Sequence, residues 1–573
     1  MSITLPNIDQ FMSWSWDQIE LYYLELQTRP ISAHTVHAWL SDWTHLSELL
    51  DETEARLYIA STLDTTNQAA ERRYHAFLEE LQPSVKAADQ VLKEKLLLSG
   101  VQSEGFELPL RNMRAEADLF REDNLPLLSE EKKLASEYNR VIGAQTVEWE
   151  GQEKTLRQLL PVYQESDRAV RERAWHLAAQ RQLADRETIN ELWVKFMELR
   201  RQVATNANLP DYRAYRWAQL LRFDYAPEDC FRFHQAIEEV VVPAAQRAYE
   251  RRRQRLGVNR LRPWDLYVDP LGRPPLRPFQ EASQLESKTA AIFQRLDPQL
   301  GEYFETMRRE NLIDLPNRKG KAPGAYCYAL LASKRAFIFH NAVGLHEDVQ
   351  TMLHEAGHAF HAFESSHLPY FQQRRQIPIE FSEVASMAVE LLAAPYLEES
   401  HGGFYTPAEA ARARIEHLEE NLLFWPYMAV VDAFQHWAYE NYIAASEPAN
   451  CDAIWVELWD RFMKGVDWAA LESVKETGWQ RKEHIHDEPF YYVEYGMAQM
   501  GAFQVWKNAL VNQVKAVADY RRALSLGGTV TLPELYREAG ARFAFDARTL
   551  KAVVQLIEDT IEMLENASGD HIS

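Results

Sequence analysis

The sequence predicts a mainly α chain with one small β-sheet. Three observations lead there. Long segments carry apolar residues at three- and four-residue steps, the signature of helices packed on one face. Strand signals are few and short. No Gly/Ser linker, fixed-period repeat or low-complexity tract interrupts the 573 residues. With 46% hydrophobic and 26% charged residues, the composition is that of a globular protein able to bury a large core.

The N-terminal third reads as helices. Val36, Trp39, Leu40, Trp43, Leu46 and Leu50 place one over Thr35 to Leu50, and further helices follow over Asp64 to Leu81 and Pro83 to Leu98. Alternation around Gly151 predicts a short hairpin within Thr146 to Leu156. A coarse boundary near residue 185 separates an N-terminal helical lobe, 1–185, from a catalytic part, 186–573. The basic run Arg247 to Arg262 reads as a solvated helix face. Between Arg318 and Gly344, Gly and Pro punctuation precedes two short runs rich in aromatic and β-favouring residues, Tyr326 to Leu331 and Ala336 to His340. The segment ASKR forms the turn between them.

The segment HEDVQTMLHEAGHAFHAF comes next. Val349, Met352, Leu353, Ala356, Phe360 and Phe363 recur at helical steps, and Glu355 is the only Asp, Glu, Lys or Arg from Val349 through Phe363. Within it lies H-E-x-x-H. Residues four apart share a helix face, so His354 and His358 can offer two imidazole nitrogens to one ion. Glu355, one residue round, can reach a water on that ion. This is the pattern of a zinc peptidase. A catalytic zinc usually takes three protein ligands. The metzincin continuation fails: its third His would fall at Glu364 and its Gly at His361. His361 shares the face of His354 and His358, but three ligands from one straight helix give poor tetrahedral geometry, so it is expected to line the site. A carboxylate from a following helix remains. The segment from Pro378 to Leu397 is that helix, with Phe381, Val384, Ala385, Ala388, Leu391 and Leu392 as its packing stripe. Glu380, Glu383 and Glu390 lie roughly opposite, and periodicity leaves Glu380 and Glu383 both open as ligands.

HEAGHAFHAF followed by EFSEVASMAVELL resembles the thimet oligopeptidase and oligoendopeptidase F family of zinc peptidases. The resemblance implies that the third ligand is a Glu twenty-five residues after the second His. That residue is Glu383, with Ala385 and Ser386 following. Glu390 matches a further acidic position, read as orienting a ligand or a neighbouring helix. HIHDEPFYYVEYGMAQMGAFQVW, from His484 to Trp506, resembles the family's substrate-side block, with His486 where the family tends to carry Phe. It implies catalytic roles for His484, Tyr492 and Tyr495 in holding a developing oxyanion, and substrate contacts from His486 and Tyr491. The strand before the zinc helix implies further contacts at His340, Asn341 and Ala342. An edge strand over Ala336 to His340 would pair with an extended peptide through main-chain hydrogen bonds. The fold implied is a large helical ellipsoid with a deep channel, the N-terminal lobe as one wall, and a small sheet beside the HExxH helix. The activity implied is hydrolysis of internal peptide bonds in short unfolded oligopeptides, using one Zn²⁺ per chain and Glu355 as general base. The same chemistry in a carboxypeptidase or dipeptidyl carboxypeptidase is one alternative, and an inactive helical peptide-binding protein is another.

The remaining composition excludes other classes. A net charge of −23 disfavours nucleic acid and anionic membranes as partners. Cys230, Cys327 and Cys451 are too few and too far apart for a disulfide framework, lack C-x-x-C spacing, and read as packing residues of a reducing compartment. The segment MSITLPNIDQFMSW has no basic region and no apolar core of signal-peptide length, and no 18-residue apolar run follows anywhere. A cytoplasmic location is expected.

Overall fold

A computed structural model describes residues 5–568, so the first four residues of the N-terminal stretch lie outside it. It is 71% helical, with five short strands: β1 Thr146–Trp149, β2 Gln152–Thr155, β3 Ile313–Pro316, β4 Tyr326–Leu330 and β5 Arg335–Ala342. The chain folds into two compact units, each drawn from three stretches. The first comprises Met1–Ala117, Leu276–Ala410 and Ala498–Phe543; the second comprises Asp118–Pro275, Ala411–Met497 and Ala544–Ser573. The boundary expected near residue 185 falls inside the second.

In the first unit, the helix expected over Thr35 to Leu50 runs on from Val36 to Leu63. Its buried Trp39, Leu40, Trp43, Leu46 and Leu49 join Leu92 and Leu96 of helix Gln82–Ser99 in one apolar cluster. That second helix and Gln68–Ala76 were expected as separate helices meeting near Pro83. They are joined instead through a π-turn, Phe77–Leu81. A proline inside a helix removes an N–H and crowds the carbonyl four residues back, and the wider turn before Pro83 relieves both demands. The second unit repeats the device, where a π-turn over Ile237–Val241 precedes Pro243.

The sheet of the first unit has the order β3-β5-β4, with β4 antiparallel and β3 parallel to β5. The two expected runs are β4 and β5. The short β3 escaped sequence reading, because four residues ending in Pro give no usable alternation. Its presence corrects one expectation. Ala336 to His340 is not an edge but the central strand, and β4 forms the edge on its other side. The helix Val36–Leu63 packs on β4, where the Thr62 hydroxyl lies 2.6 Å from the Tyr326 hydroxyl and the Tyr58 ring meets the rings of Tyr326 and Tyr328.

The second unit holds the predicted hairpin. β1 and β2 pair antiparallel through Glu150 and Gly151, both at positive φ. Positive φ at both turn residues is what a two-residue hairpin loop of this type requires. Val147 and Trp149 point from it into a small core with Leu159, Tyr163 and Ala174. Among the described residues no helix is long and apolar enough to cross a membrane.

Candidate metal centre

The strand β5 leads directly into helix His346–Ser365. The turn between them is held by one carboxylate oxygen. Asp348 Oδ2 accepts the backbone N–H groups of Val343, Gly344 and Leu345, each at 2.8 Å. An acidic side chain at the N-terminus of a helix also favours its dipole. The helix then buries Val349, Met352, Leu353, Ala356 and Phe360 completely. Its other face carries His354 and His358, one turn apart, with ring centroids 4.9 Å apart.

Helix Ile379–Ala393 packs against this face. The contact is close because Gly357 has no side chain. A β-carbon there would stand 2.5 Å from Ser386 Cα and 2.6 Å from the Ala385 carbonyl oxygen. The Tyr520 hydroxyl donates to that same carbonyl oxygen at 2.7 Å. Phe381, Val384, Ala385 and Ala388 of the expected packing stripe are fully buried.

This crossing brings Glu383 to the two histidines. Glu383 Oε2 lies 3.4 Å from His354 Nε2 and 3.8 Å from His358 Nε2. His354, His358 and Glu383 each present one ligand atom within 4.8 Å of the others. Glu390 Oε1 lies 2.7 Å from His354 Nδ1. A proton on Nδ1 shared with that carboxylate leaves Nε2 facing Glu383, the orientation a ligating imidazole needs. Ser386 Oγ donates to both the backbone oxygen and Oε2 of Glu383, at 3.0 and 3.1 Å, and so fixes its rotamer. Two imidazoles and a carboxylate with an outer carboxylate behind one imidazole is a donor set that can hold Zn²⁺.

Electrostatics separates the carboxylates. Burial works to raise the Glu383 carboxyl, but the hydrogen bond to His354 and the two imidazoles outweigh it and hold it at about 2. Burial pushes Glu355 up to about 7; the His354 charge opposes this, while Glu383 and Glu390 add to it. One acid is thus kept ionised and its neighbour is poised near neutrality. Burial depresses His358 to about 4 and His361 to about 3. His361 is 4% exposed, packs near the Phe381 ring and contributes no atom to the three-ligand group. The other acids go elsewhere. Glu364 accepts from Arg521 Nε at 2.6 Å, and Glu380 is buried near Tyr536.

The sheet also reaches this centre. The Cys327 thiol of β4 is pushed up by burial and by the charge of Glu355. Nothing in the sequence marked Cys327 beyond its place in the expected strand. The three residues expected to contact substrate at the end of β5 have internal partners. Lys321 donates to the His340 carbonyl oxygen. The Asn341 amide donates to Ala322 and Gly324 carbonyl oxygens at 2.7 and 2.9 Å. Ala342 is buried and pairs with Pro316. They tie down the loop that leads into β4.

In the second unit, the downstream block forms an aromatic cluster. The His484 ring lies 4.9 Å from Tyr492, 5.8 Å from Tyr491 and 5.9 Å from Tyr495, and the Lys482 ammonium sits 3.7 Å from the Tyr492 ring centre. Burial depresses His484 to about 3, so it is neutral at pH 7. The turn before the cluster is clamped. Arg216 donates to the Pro489 carbonyl oxygen, Arg222 to that of Phe490, and Gln435 accepts from the Phe490 N–H. Phe490 itself stands at φ 65°, a strained conformation that such clamps sustain. His486 has other surroundings. It was expected among the substrate contacts, but it is fully buried, stacked at 4.2 Å on Tyr138 and parallel to Trp479, with Arg200 on its carbonyl oxygen. An apolar, aromatic neighbourhood made it a core residue.

The family model for peptidase family M3 matches residues 162–555, more than half of the chain. The chain belongs to peptidase family M3. It is similar to an X-ray structure of an oligoendopeptidase F, with 28% identity and a TM-score of 0.86 over 97% of this chain and 99% of that one. A structure of PZ peptidase A with an inhibitor is similar to the same degree, with 29% identity, a TM-score of 0.86 and 98% of both chains covered. An oligoendopeptidase F homolog of Mycoplasma pneumoniae is 23% identical over 337 residues, 54% of this chain and 52% of its own length. The chain thus spans about half the length of the first two curated relatives it matches, at 52% and 48%.

Proposed function

We propose that this chain is a zinc-dependent endopeptidase acting on short, unfolded oligopeptides. The observation that carries the reading is the convergence of His354, His358 and Glu383 from two crossing helices, with Glu355 buried beside them. Bound there, Zn²⁺ would act as a Lewis acid on a peptide carbonyl and lower the pKa of a water. Glu355 takes the proton of the attacking water and returns it to the leaving amine, a task suited to a carboxyl poised near neutral pH. Glu390 keeps His354 in the tautomer that offers Nε2. A hydroxyl from Tyr492 or Tyr495 donates to the developing oxyanion, and His484 supports it. The strand available to align a substrate main chain is the outer edge of β4, whose Cys327 feels the charge of Glu355.

Mass spectrometry of products from a mixed peptide library, with and without chelator, tests this reading. The expected result is chelator-sensitive cleavage at internal bonds, including in peptides blocked at both ends. Peptides up to about twenty residues should be cut, a length set by ~3.3 Å per extended residue inside one domain. Products trimmed only from free C-termini would identify a carboxypeptidase or dipeptidyl carboxypeptidase. Tight peptide binding with no products would identify a binding protein.

A further inference from the structure

The second unit contains another group of metal-binding side chains, built from two helices. Cys230 and His234 lie one turn apart on helix Pro227–Ala236, and Asp432 and His436 lie one turn apart on helix Pro407–Glu440. A four-residue step puts each pair on one helix face. The two faces meet. Cys230, Asp432 and His436 each bring one ligand atom within 4.8 Å of the others. His234 Nε2 lies 2.8 Å from Asp432 Oδ2, and His436 Nε2 lies 3.4 Å from the same oxygen. All four residues are buried: Cys230 and Asp432 at 0% exposure, His436 at 1% and His234 at 3%.

Two features of this group ask for a cation. Asp432 Oδ1 is shielded from solvent and has no hydrogen-bond partner. A buried acceptor left in that state is costly, and more so when it carries charge. Moreover, the partners of the Asp432 carboxylate are the two imidazoles, with no lysine or arginine paired to it among the described residues. A fully buried carboxylate is stable only when paired or coordinated.

We propose that Cys230, Asp432 and His436 supply three ligands to a second zinc site, with His234 orienting Asp432 from outside the ligand set. Zn²⁺ accepts sulfur, imidazole nitrogen and carboxylate oxygen alike. At bonds of ~2.0–2.3 Å, tetrahedral ligand atoms stand about 3.3–3.8 Å apart, a spacing that His436 Nε2 and Asp432 Oδ2 already meet at 3.4 Å. Binding transfers the Cys230 thiol proton to solvent and forms a zinc–thiolate bond. Thiolate and carboxylate then balance the dication, which leaves the buried site neutral. Ligation through His436 Nε2 places the remaining ring proton on Nδ1. Arg213 Nη1 now stands 3.3 Å from that atom and shares its charge with Glu440; in the zinc form it keeps only Glu440.

The test uses the full chain. Protein is equilibrated with Zn²⁺, freed of loose metal by gel filtration, and its zinc counted per chain. Two are expected in the parent, and one each in Cys230→Ser and in Glu383→Ala. Exchange with Co²⁺ then distinguishes the sites, because the ligands at His354, His358 and Glu383 include no sulfur. A near-ultraviolet thiolate-to-cobalt charge-transfer band is expected in the parent, in Glu383→Ala and in Cys327→Ser, and its loss is expected in Cys230→Ser. One zinc per chain in the parent, a cobalt spectrum without the band, or a band that survives Cys230→Ser overturns the proposal. The first two readings need no variant to fold.

Discussion

Glu355 and Glu383 stand beside the same two histidines yet are driven in opposite directions, one up to about 7 and one down to about 2. Environments that push titratable groups apart assign them different tasks. Glu355→Gln should therefore retain zinc and lose turnover by at least about 10²-fold, since only the base is removed; more than a hundredth of parental activity would remove Glu355 from that role. Glu383→Ala should lose zinc and activity together. Glu364→Ala and Glu380→Ala should keep both near normal, because Glu364 pairs with Arg521 and Glu380 lies near Tyr536. Zinc content by elemental analysis decides between these acids. In the aromatic cluster, Tyr492→Phe and Tyr495→Phe preserve the rings and remove only a hydroxyl. If one of them donates to the oxyanion, that variant should lose about 10²–10³-fold in kcat at unchanged zinc content. Near-normal kcat in both would leave the cluster a packing role alone.

At the scale of elements, the crossing of helices His346–Ser365 and Ile379–Ala393 sets the ligand spacing, and Gly357 sets the crossing. Its would-be β-carbon meets backbone atoms, which cannot rotate aside as a side-chain tip would. Gly357→Ala is usually a mild change inside a helix, where alanine has the better propensity. Here it should part the helices and destabilise the protein by about 1–3 kcal/mol, the usual cost of overpacking. Zinc affinity should fall as Glu383 moves away from His354 and His358. A variant with parental melting temperature and parental zinc affinity would show that the contact has slack. This glycine was visible only as a small residue in HEAGH. The need for it arises from a helix that begins more than twenty residues later.

Across the whole molecule, several histidines are folded in the neutral state. Burial depresses His361, His484 and His486 to about 3 each, against an ordinary value of ~6.5. The sign follows from linkage. Below pH ~6.5 the unfolded chain binds protons that the folded chain refuses, so stability rises with pH up to about 6.5 and levels off above it. Buried His354, whose pKa Glu383 and Glu390 hold up against burial, and Glu355, lifted to about 7, act in the opposite sense, but the depressed rings, with His358 at about 4, outnumber them. Denaturant midpoints of the metal-free protein should therefore fall between pH 7 and pH 5.5. Midpoints that stay level over that range would mean these rings gain protons in the folded state.

What the sequence determined by itself is local. Four-residue periodicity placed His354 and His358 on one face, the alternation about Gly151 gave the hairpin, and apolar spacing gave the buried stripes of both site helices. These follow from covalent geometry, which repeats every 3.6 or two residues whatever surrounds it. Periodicity could not choose between Glu380 and Glu383, and only resemblance named Glu383. It is the tertiary crossing that gives the three acids of that helix different partners. The central position of β5, the burial of His486 against Tyr138 and Trp479, and the meeting of Cys230 with Asp432 and His436 were decided by the fold alone. Each depends on residues far apart in sequence, and the contacts that fix them exist only once the helices between have packed.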